Sequence, residues 1–219
     1  VYGEQLAAYE ADREALLQDI ATLGAGAASD DATRAAIAAE VDEGLVAHLA
    51  LEETEGVHAH SRVGSVRTDI VDVTMGAEGR IGKAYRFDGG DDVMTMPRIV
   101  TDDFTISFWF KTTALASGPA GAIRWFQGDG LVDAEVPGIV HDFGVSMHSN
   151  GYVVCGSGKP EIDIHSGPGF NDGAWHHVAF TRGTDGMIAL YVDGDHVGSR
   201  QGGVEPRDTP AKIAIGRLQ

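Results

Sequence analysis

The chain has 219 residues, of which 16 are Lys or Arg and 33 are Asp or Glu, and its formal net charge is -17 at pH 7. Such acidity repels phosphate backbones and anionic lipid headgroups, so neither nucleic acid nor an acidic membrane is an expected partner. No apolar run approaches the ~18 residues of a membrane-spanning helix, so no membrane insertion is predicted. The first residues lack a signal-peptide pattern and begin with Val1, so we expect a segment of a longer protein.

Residues 1–43 carry the pattern of an α-helical hairpin. Mostly apolar residues recur at alternating spacings along a first helix: Tyr2, Leu6, Tyr9, Arg13, Leu16, Ile20 and Leu23. A glycine-rich bend at 24–26 ends this helix, and Ser29 or Asp30 can cap a second helix over about 31–42. We expect the hairpin to pack on the rest of the chain or to belong to a neighbouring domain.

From residue 44 onward the patterns are those of β-strands. Every second residue of 104–110 is apolar, which gives that strand one core face. The Asn-Gly pair at 150–151 and the Asp-Gly pair at 193–194 are typical of tight antiparallel hairpins. Cys155 lies in an apolar run, so we expect it to be buried and unreactive. The predicted strands are 45–51, 70–74, 84–87, 92–96, 104–112, 122–126, 139–148, 152–156, 161–165, 175–181, 187–192 and 212–215.

Four segments, in this order along the chain, resemble the laminin-G-like, concanavalin A-like jelly rolls of bacterial surface and secreted proteins. They are LVAHLALEETEG at 45–56, GKAYRFDGGDDVMTMP at 82–97, DDFTISFWFKT at 102–112, and GAWHHVAF with LYVDGDHVG within 173–198. The resemblance implies an all-β, antiparallel jelly-roll sandwich over 44–219, and a secreted, periplasmic or cell-surface location. Such jelly rolls usually continue past the strand at 213–216 into a last strand, and this chain ends at Gln219, so we expect that strand to be missing.

The resemblance also implies a calcium site. In related jelly rolls the ion lies on a rim loop after an aromatic-rich strand, which by position corresponds to Asp129 and Asp133. Further ligands follow the strand at 213–216, where Leu218 cannot serve. Hard oxygen ligands on loops suit calcium. A second acidic loop at 88–92 has a similar density of carboxylates, but such a loop is more often the turn that follows the phenylalanine in this family.

Sugar recognition needs an aromatic face for the apolar side of the ring and polar groups for its hydroxyls. Trp125 and Tyr152 flank the 127–135 segment and the turn at 150–151, so we expect them to stack on a sugar beside Asp129. The function hypothesis is a non-catalytic, carbohydrate-binding accessory module of a larger secreted or surface bacterial protein, with a glycan or polysaccharide as partner and calcium ordering the rim.

Two alternatives stay open. One is a structural spacer that docks on neighbouring domains through the helix over 2–23. The other is a glycoside hydrolase or lyase that uses Glu161, because 161–165 resembles the E-I-D-x-x-E strand of jelly-roll hydrolases. Retaining hydrolysis needs a second carboxyl group about 5 to 5.5 Å away. His165 and Ser166 stand where the second glutamate is expected.

Overall fold

The computed structural model describes residues 44–118, 123–138 and 140–217, and the predicted helical hairpin lies outside this part of the chain. The described residues form antiparallel strands: β1 (His58–His60), β2 (Arg67–Val71), β3 (Thr74–Glu78), β4 (Lys83–Arg86), β5 (Val93–Pro97), β6 (Phe104–Phe110), β7 (Asp129–Ala134), β8 (Phe143–His148), β9 (Tyr152–Ser157), β10 (Ile162–His165), β11 (His176–Arg182), β12 (Met187–Val192), β13 (Asp195–Gln201) and β14 (Lys212–Ile215).

The strands make two stacked sheets and a separate hairpin. The larger sheet has the order β1-β2-β5-β14-β7-β8-β9-β10, the smaller has the order β13-β12-β11-β6, and β3 pairs with β4. All the pairings are antiparallel. This arrangement confirms the predicted jelly-roll sandwich. Within the described residues, no helix is long and apolar enough to cross a bilayer.

The core lies between the two sheets. Phe104, Phe143 and Phe180 meet at its centre, with ring centroids 4.8 Å apart for the first two and 5.8 Å apart for Phe104 and Phe180. The alternate apolar residues of β6 all contact this core, as the sequence pattern predicts. Cys155 is buried there, as predicted, and burial raises the pKa of its thiol.

The tight turns are confirmed and two strand predictions are wrong. Asn150 and Asp193 both have positive φ, at 64° and 54°, as the predicted hairpin turns require. The segment 45–51 is not a strand; it makes only one bridge, from Leu49 to Ser61. Residues 123–126 are also not a strand, and β7 begins instead at Asp129. Aspartate and glycine are poor strand formers, but β7 is held between β14 and β8, and this tertiary context prevails.

Two buried arginines fix the segment that follows β13. Arg182 donates to the carbonyl oxygens of Gly203 and Glu205 at 2.9 Å and 2.8 Å. Arg207 donates to the carbonyl oxygens of Gly158 and Gly203 at 2.9 Å and 2.7 Å. The chain then enters β14, which is hydrogen-bonded on both sides, to β5 and to β7. These contacts tie the end of β9 to the segment between β13 and β14.

Candidate functional site

A row of four residues crosses the larger sheet on the face that points away from the core. Asp133 on β7 pairs with Gly144 on β8, Gly144 pairs with Gly156 on β9, and Gly156 pairs with Asp163 on β10. Their neighbours along the strands, such as Val145 and Cys155, face the core. The row therefore has a carboxylate at each end and no side chain in the middle.

The indole of Trp125 fills the space above the two glycines. A Cβ atom added at Gly156 would lie 2.0 Å from Trp125 Cδ1, and one added at Gly144 would lie 2.9 Å from Trp125 Cε3. Trp125 is consequently only 2% exposed. The sequence places glycine at these two sheet positions because no larger residue leaves room for the ring.

Hydrogen bonds hold the backbone of Trp125 over the row. Its amide N–H donates to Asp163 Oδ1 at 2.8 Å, and its carbonyl oxygen accepts from Ser146 Oγ at 2.6 Å. The neighbouring Arg124 donates to Asp163 Oδ2 at 2.8 Å. In contrast, the buried indole Nε1–H has no hydrogen-bond partner among the described residues. Among the described residues, the indole N–H is one of eight buried side-chain nitrogen or oxygen atoms without a hydrogen-bond partner.

A cavity of about 230 Å³ opens beside Trp125. We call it the Trp125 cavity, and its lining combines two aromatic side chains with three carboxyl groups: Trp125, Phe126, Glu135, Pro137, Gly138, Asp142, Gly158 and Glu161. Two of the carboxyl groups come from the ends of β7 and β8, and the third precedes β10. The same strands that form the row thus position the acidic wall.

The carboxyl groups of the cavity differ in their electrostatic surroundings. Burial and the nearby carboxylates of Asp133 and Asp142 raise the pKa of Glu135 to about 7. Burial also raises the pKa of Asp142, although hydrogen bonds from backbone amides and the charge of Arg207 oppose the shift. Glu161 forms an ion pair with Arg124 at 2.9 Å. At neutral pH, Glu135 can therefore either donate or accept a hydrogen bond.

The raised pKa of Glu135 predicts how stability changes with pH. The folded chain binds a proton at Glu135 more tightly than the unfolded chain, in which the pKa returns to its ordinary value of 4.5. The stabilising contribution is therefore full below pH 4.5 and is lost as the pH rises through about 7. We expect Glu135→Gln to flatten the fall in melting temperature over that interval, whereas the exposed Glu55→Gln leaves it unchanged. If the melting temperatures of wild type and Glu135→Gln fell equally with pH over this interval, the result would contradict this account.

The structure does not bring the predicted sugar-binding residues together. Trp125 is buried, so it cannot present a ring face for stacking as the sequence prediction requires. Tyr152 is half-buried and lies at the other end of β9, edge-on to His165 at 5.8 Å. It is four residues from Gly156, roughly 13 Å along an extended strand. Trp125 does line the cavity, whereas Tyr152 does not.

The predicted calcium ligands do not lie on a rim loop, because both belong to β7. Asp129 is exposed and accepts hydrogen bonds from the backbone and the hydroxyl of Ser117. Asp133 is buried and accepts from the amide of Glu135 at 3.2 Å. Residues four apart on a strand are separated by roughly 13 Å, too far to share an ion with ligand distances of about 2.3–2.6 Å. The pair therefore does not fit a common calcium ion.

The second acidic loop groups its carboxylates more closely. Ligand atoms of Asp88, Asp91 and Asp92 lie within 4.8 Å of one another, the only such group of three or more potential metal-binding side chains in 44–118, 123–138 and 140–217. Two of these carboxylates also accept hydrogen bonds inside the loop, from the amides of Asp88 and Gly90. These hydrogen bonds within the loop are typical of a tight turn, and a turn at this position is what the family resemblance implies.

Two stacked antiparallel sheets of this order define a concanavalin A-like β-sandwich. The chain belongs to the Laminin_G_3 family of the concanavalin A-like lectin/glucanases superfamily, whose model matches residues 88–219. This match confirms the family resemblance inferred from the sequence motifs.

Solved structures of similar fold include two toxin binding domains. The binding domain of Paraclostridial Mosquitocidal Protein 1 is 17% identical with a TM-score of 0.51, and the match covers 78% of this chain and 47% of that one. The binding domain of botulinum neurotoxin serotype D/C is 14% identical with a TM-score of 0.56, and the match covers 78% of this chain and 42% of that one. The chain thus spans less than half the length of either structure. At these identities the likeness shows the fold alone.

Domains LG4-5 of the mouse laminin alpha1 chain also match, at 16% identity and a TM-score of 0.45. That match covers 57% of this chain and 32% of the laminin chain.

Proposed function

We propose that this chain is a non-catalytic glycan-binding module of a larger secreted or surface protein, and that it binds a sugar unit in the Trp125 cavity. The observation that carries the proposal is the Trp125 cavity itself, whose wall combines two aromatic rings with three carboxyl groups. One of those rings, that of Trp125, has a buried Nε1–H without a partner among the described residues. A buried donor left without an acceptor costs about 1–3 kcal/mol. A hydroxyl oxygen of a bound sugar would accept this hydrogen bond and remove that cost.

The rest of the lining suits the other sugar hydroxyls. Glu135, Asp142 and Glu161 supply carboxylate oxygens, which accept strong hydrogen bonds from O–H donors. Trp125 and Phe126 supply apolar surface for C–H groups, and their rings meet edge-to-face at 5.6 Å. A concave site with an apolar wall and a few fixed polar groups is typical of small-ligand binding. Membership of the concanavalin A-like lectin/glucanases superfamily supports a binding role, and both toxin structures of this fold are binding domains.

The enzyme alternative has less support from the geometry. Glu161 does line the cavity, but Arg124 pairs with it and with Asp163 at 2.9 Å and 2.8 Å. This ion pair already engages the Glu161 carboxylate, so it is less available to act on a bound substrate. We therefore propose binding without cleavage, and unchanged oligosaccharide after incubation with the protein is the expected outcome.

A glycan array tests the proposal, with Trp125→Phe as the decisive variant. Phenylalanine keeps most of the packing over the glycine row but removes the indole N–H, so we expect the affinity to fall by about five- to a hundredfold, the equivalent of a lost buried hydrogen bond. Trp175→Phe is the matched control, because Trp175 immediately precedes β11 of the other sheet.

The array also tests the calcium prediction. Because Asp129 and Asp133 do not share a site, we expect equal binding in calcium and in chelator. Absence of binding to any glycan, or full affinity in Trp125→Phe, would contradict the proposed function.

A further inference from the structure

We infer that the Trp125 cavity selects a sugar unit with a free amino group over its neutral or N-acetylated counterpart. This inference rests on the proposed function and names the ligand class for the same site. It follows from the balance of charge around the cavity, from the donor that Trp125 contributes, and from the volume available.

The cations near the cavity are already engaged. Arg124 contacts two carboxylates at once, Glu161 at 2.9 Å and Asp163 at 2.8 Å, so a single guanidinium serves both. Arg207 is buried and donates to two backbone carbonyl oxygens. Its charge, together with that of Arg98, offsets the charge of Asp142.

Glu135 is the carboxyl group that these cations do not reach. Within the described residues it forms no ion pair, and the charged groups that act on it are the carboxylates of Asp133 and Asp142. Like charges and burial make its carboxylate form costly, so its pKa is raised. An ammonium group placed in the cavity would supply the missing positive charge and form charge-assisted hydrogen bonds.

The unpaired N–H donor of Trp125 further restricts the range of ligands that fit the cavity. The indole Nε1–H needs an acceptor, and an alkylammonium group such as that of a lysine side chain offers donors only. An amino sugar brings both kinds of group, since its ammonium can donate to Glu135 while a hydroxyl or ring oxygen accepts from Trp125. The ligand that satisfies both the Glu135 carboxyl group and the Trp125 N–H is therefore a cationic sugar, not a simple amine.

The size of the cavity agrees with a single sugar unit. Its volume of about 230 Å³ lies below the ~300–1,000 Å³ of sites that enclose drug-sized ligands. One ring can enter while the rest of the oligosaccharide stays outside. Selectivity then depends on the substituent of that one ring.

The test compares a short glucosamine oligosaccharide with its N-acetylated counterpart in titration calorimetry at about 0.15 M salt, where long-range attraction to the acidic surface is screened. We expect wild type to prefer the free amine by about tenfold or more, ~1.4 kcal/mol. Glu135→Gln should lose this preference, measured as the ratio of its affinities for the two sugars. Glu55→Gln, which removes the same charge at an exposed position, should keep the preference.

The outcomes separate the inference from the proposed function. Equal affinity for the two sugars in wild type, or a preference that survives Glu135→Gln, would overturn the amino-sugar inference while glycan binding stands. A simple alkylamine such as butylamine that binds as tightly as the glucosamine oligosaccharide would also overturn it, because that ligand has no acceptor for Trp125. If neither these two sugars nor any glycan on the array binds, the proposed function fails with the inference.

Discussion

Gly156→Ala should destabilise the protein by about 3 kcal/mol and abolish glycan binding, although it adds a single methyl group. The new Cβ atom would lie 2.0 Å from Trp125 Cδ1 and 2.5 Å from the backbone oxygen of Ile162. Neither neighbour can yield easily, because the oxygen belongs to the backbone of β10 and the backbone of Trp125 is held by hydrogen bonds to Asp163 and Ser146. Overpacking of this kind typically costs about 1–3 kcal/mol, and here two contacts are violated together.

Chemical denaturation followed by tryptophan fluorescence measures this effect. Gly167→Ala is the matched control, since no atom lies within 4 Å of a Cβ built at that position. We expect the control to unfold at nearly the wild-type denaturant concentration, and the emission of Gly156→Ala to shift as Trp125 leaves its buried position. Equal midpoints for the two alanine variants would show that the indole is not seated on the glycine row.

Phe180→Ala is expected to be the most destabilising single substitution considered, at about 3–5 kcal/mol. Phe180 is fully buried on β11, and its ring meets Phe104 from the same sheet at 5.8 Å and Phe143 from the facing sheet at 6.2 Å. Truncation leaves a cavity at the point where the two sheets meet, so both transfer free energy and packing are lost.

An exposed apolar residue provides the control for this substitution. Leu115 is 87% exposed, so Leu115→Ala should change the free energy of unfolding by less than about 0.5 kcal/mol. The measurement is equilibrium unfolding in urea for both variants. A loss below about 1 kcal/mol in Phe180→Ala would contradict a shared core between the sheets.

Local sequence patterns were sufficient to predict the sandwich. These patterns involve residues only one or two positions apart, so the sequence shows them directly. They are the alternation along β6, the apolar runs of β9 and β11, and the Asn-Gly and Asp-Gly turns. The wrong strand predictions fall where contacts between distant parts of the chain determine the secondary structure. β7 contains strand-poor residues such as Asp129 and Gly130, and it is a strand because β14 and β8 flank it.

The candidate site was less accessible to sequence analysis. Trp125 was predicted as a site residue, and it does line the cavity. It does so as a buried side chain whose N–H has no partner within the described part of the chain, and not as an exposed stacking surface. The row that seats it joins Gly144 and Gly156 across separate strands, and this register is a long-range property. Glu135 and Asp142 were missed because nothing in their local sequence distinguishes them from other acidic residues of an acidic chain.

The most direct test of the central claim is a nitrogen-labelled NMR titration that observes the indole N–H groups. The chain has 3 tryptophans, so the spectrum contains 3 indole signals, and Trp125→Phe identifies the one that belongs to Trp125. If a sugar hydroxyl accepts from Nε1 in the cavity, the Trp125 signal shifts in proportion to occupancy while those of Trp109 and Trp175 stay in place. A glycan that binds and leaves the Trp125 signal unmoved would contradict the account.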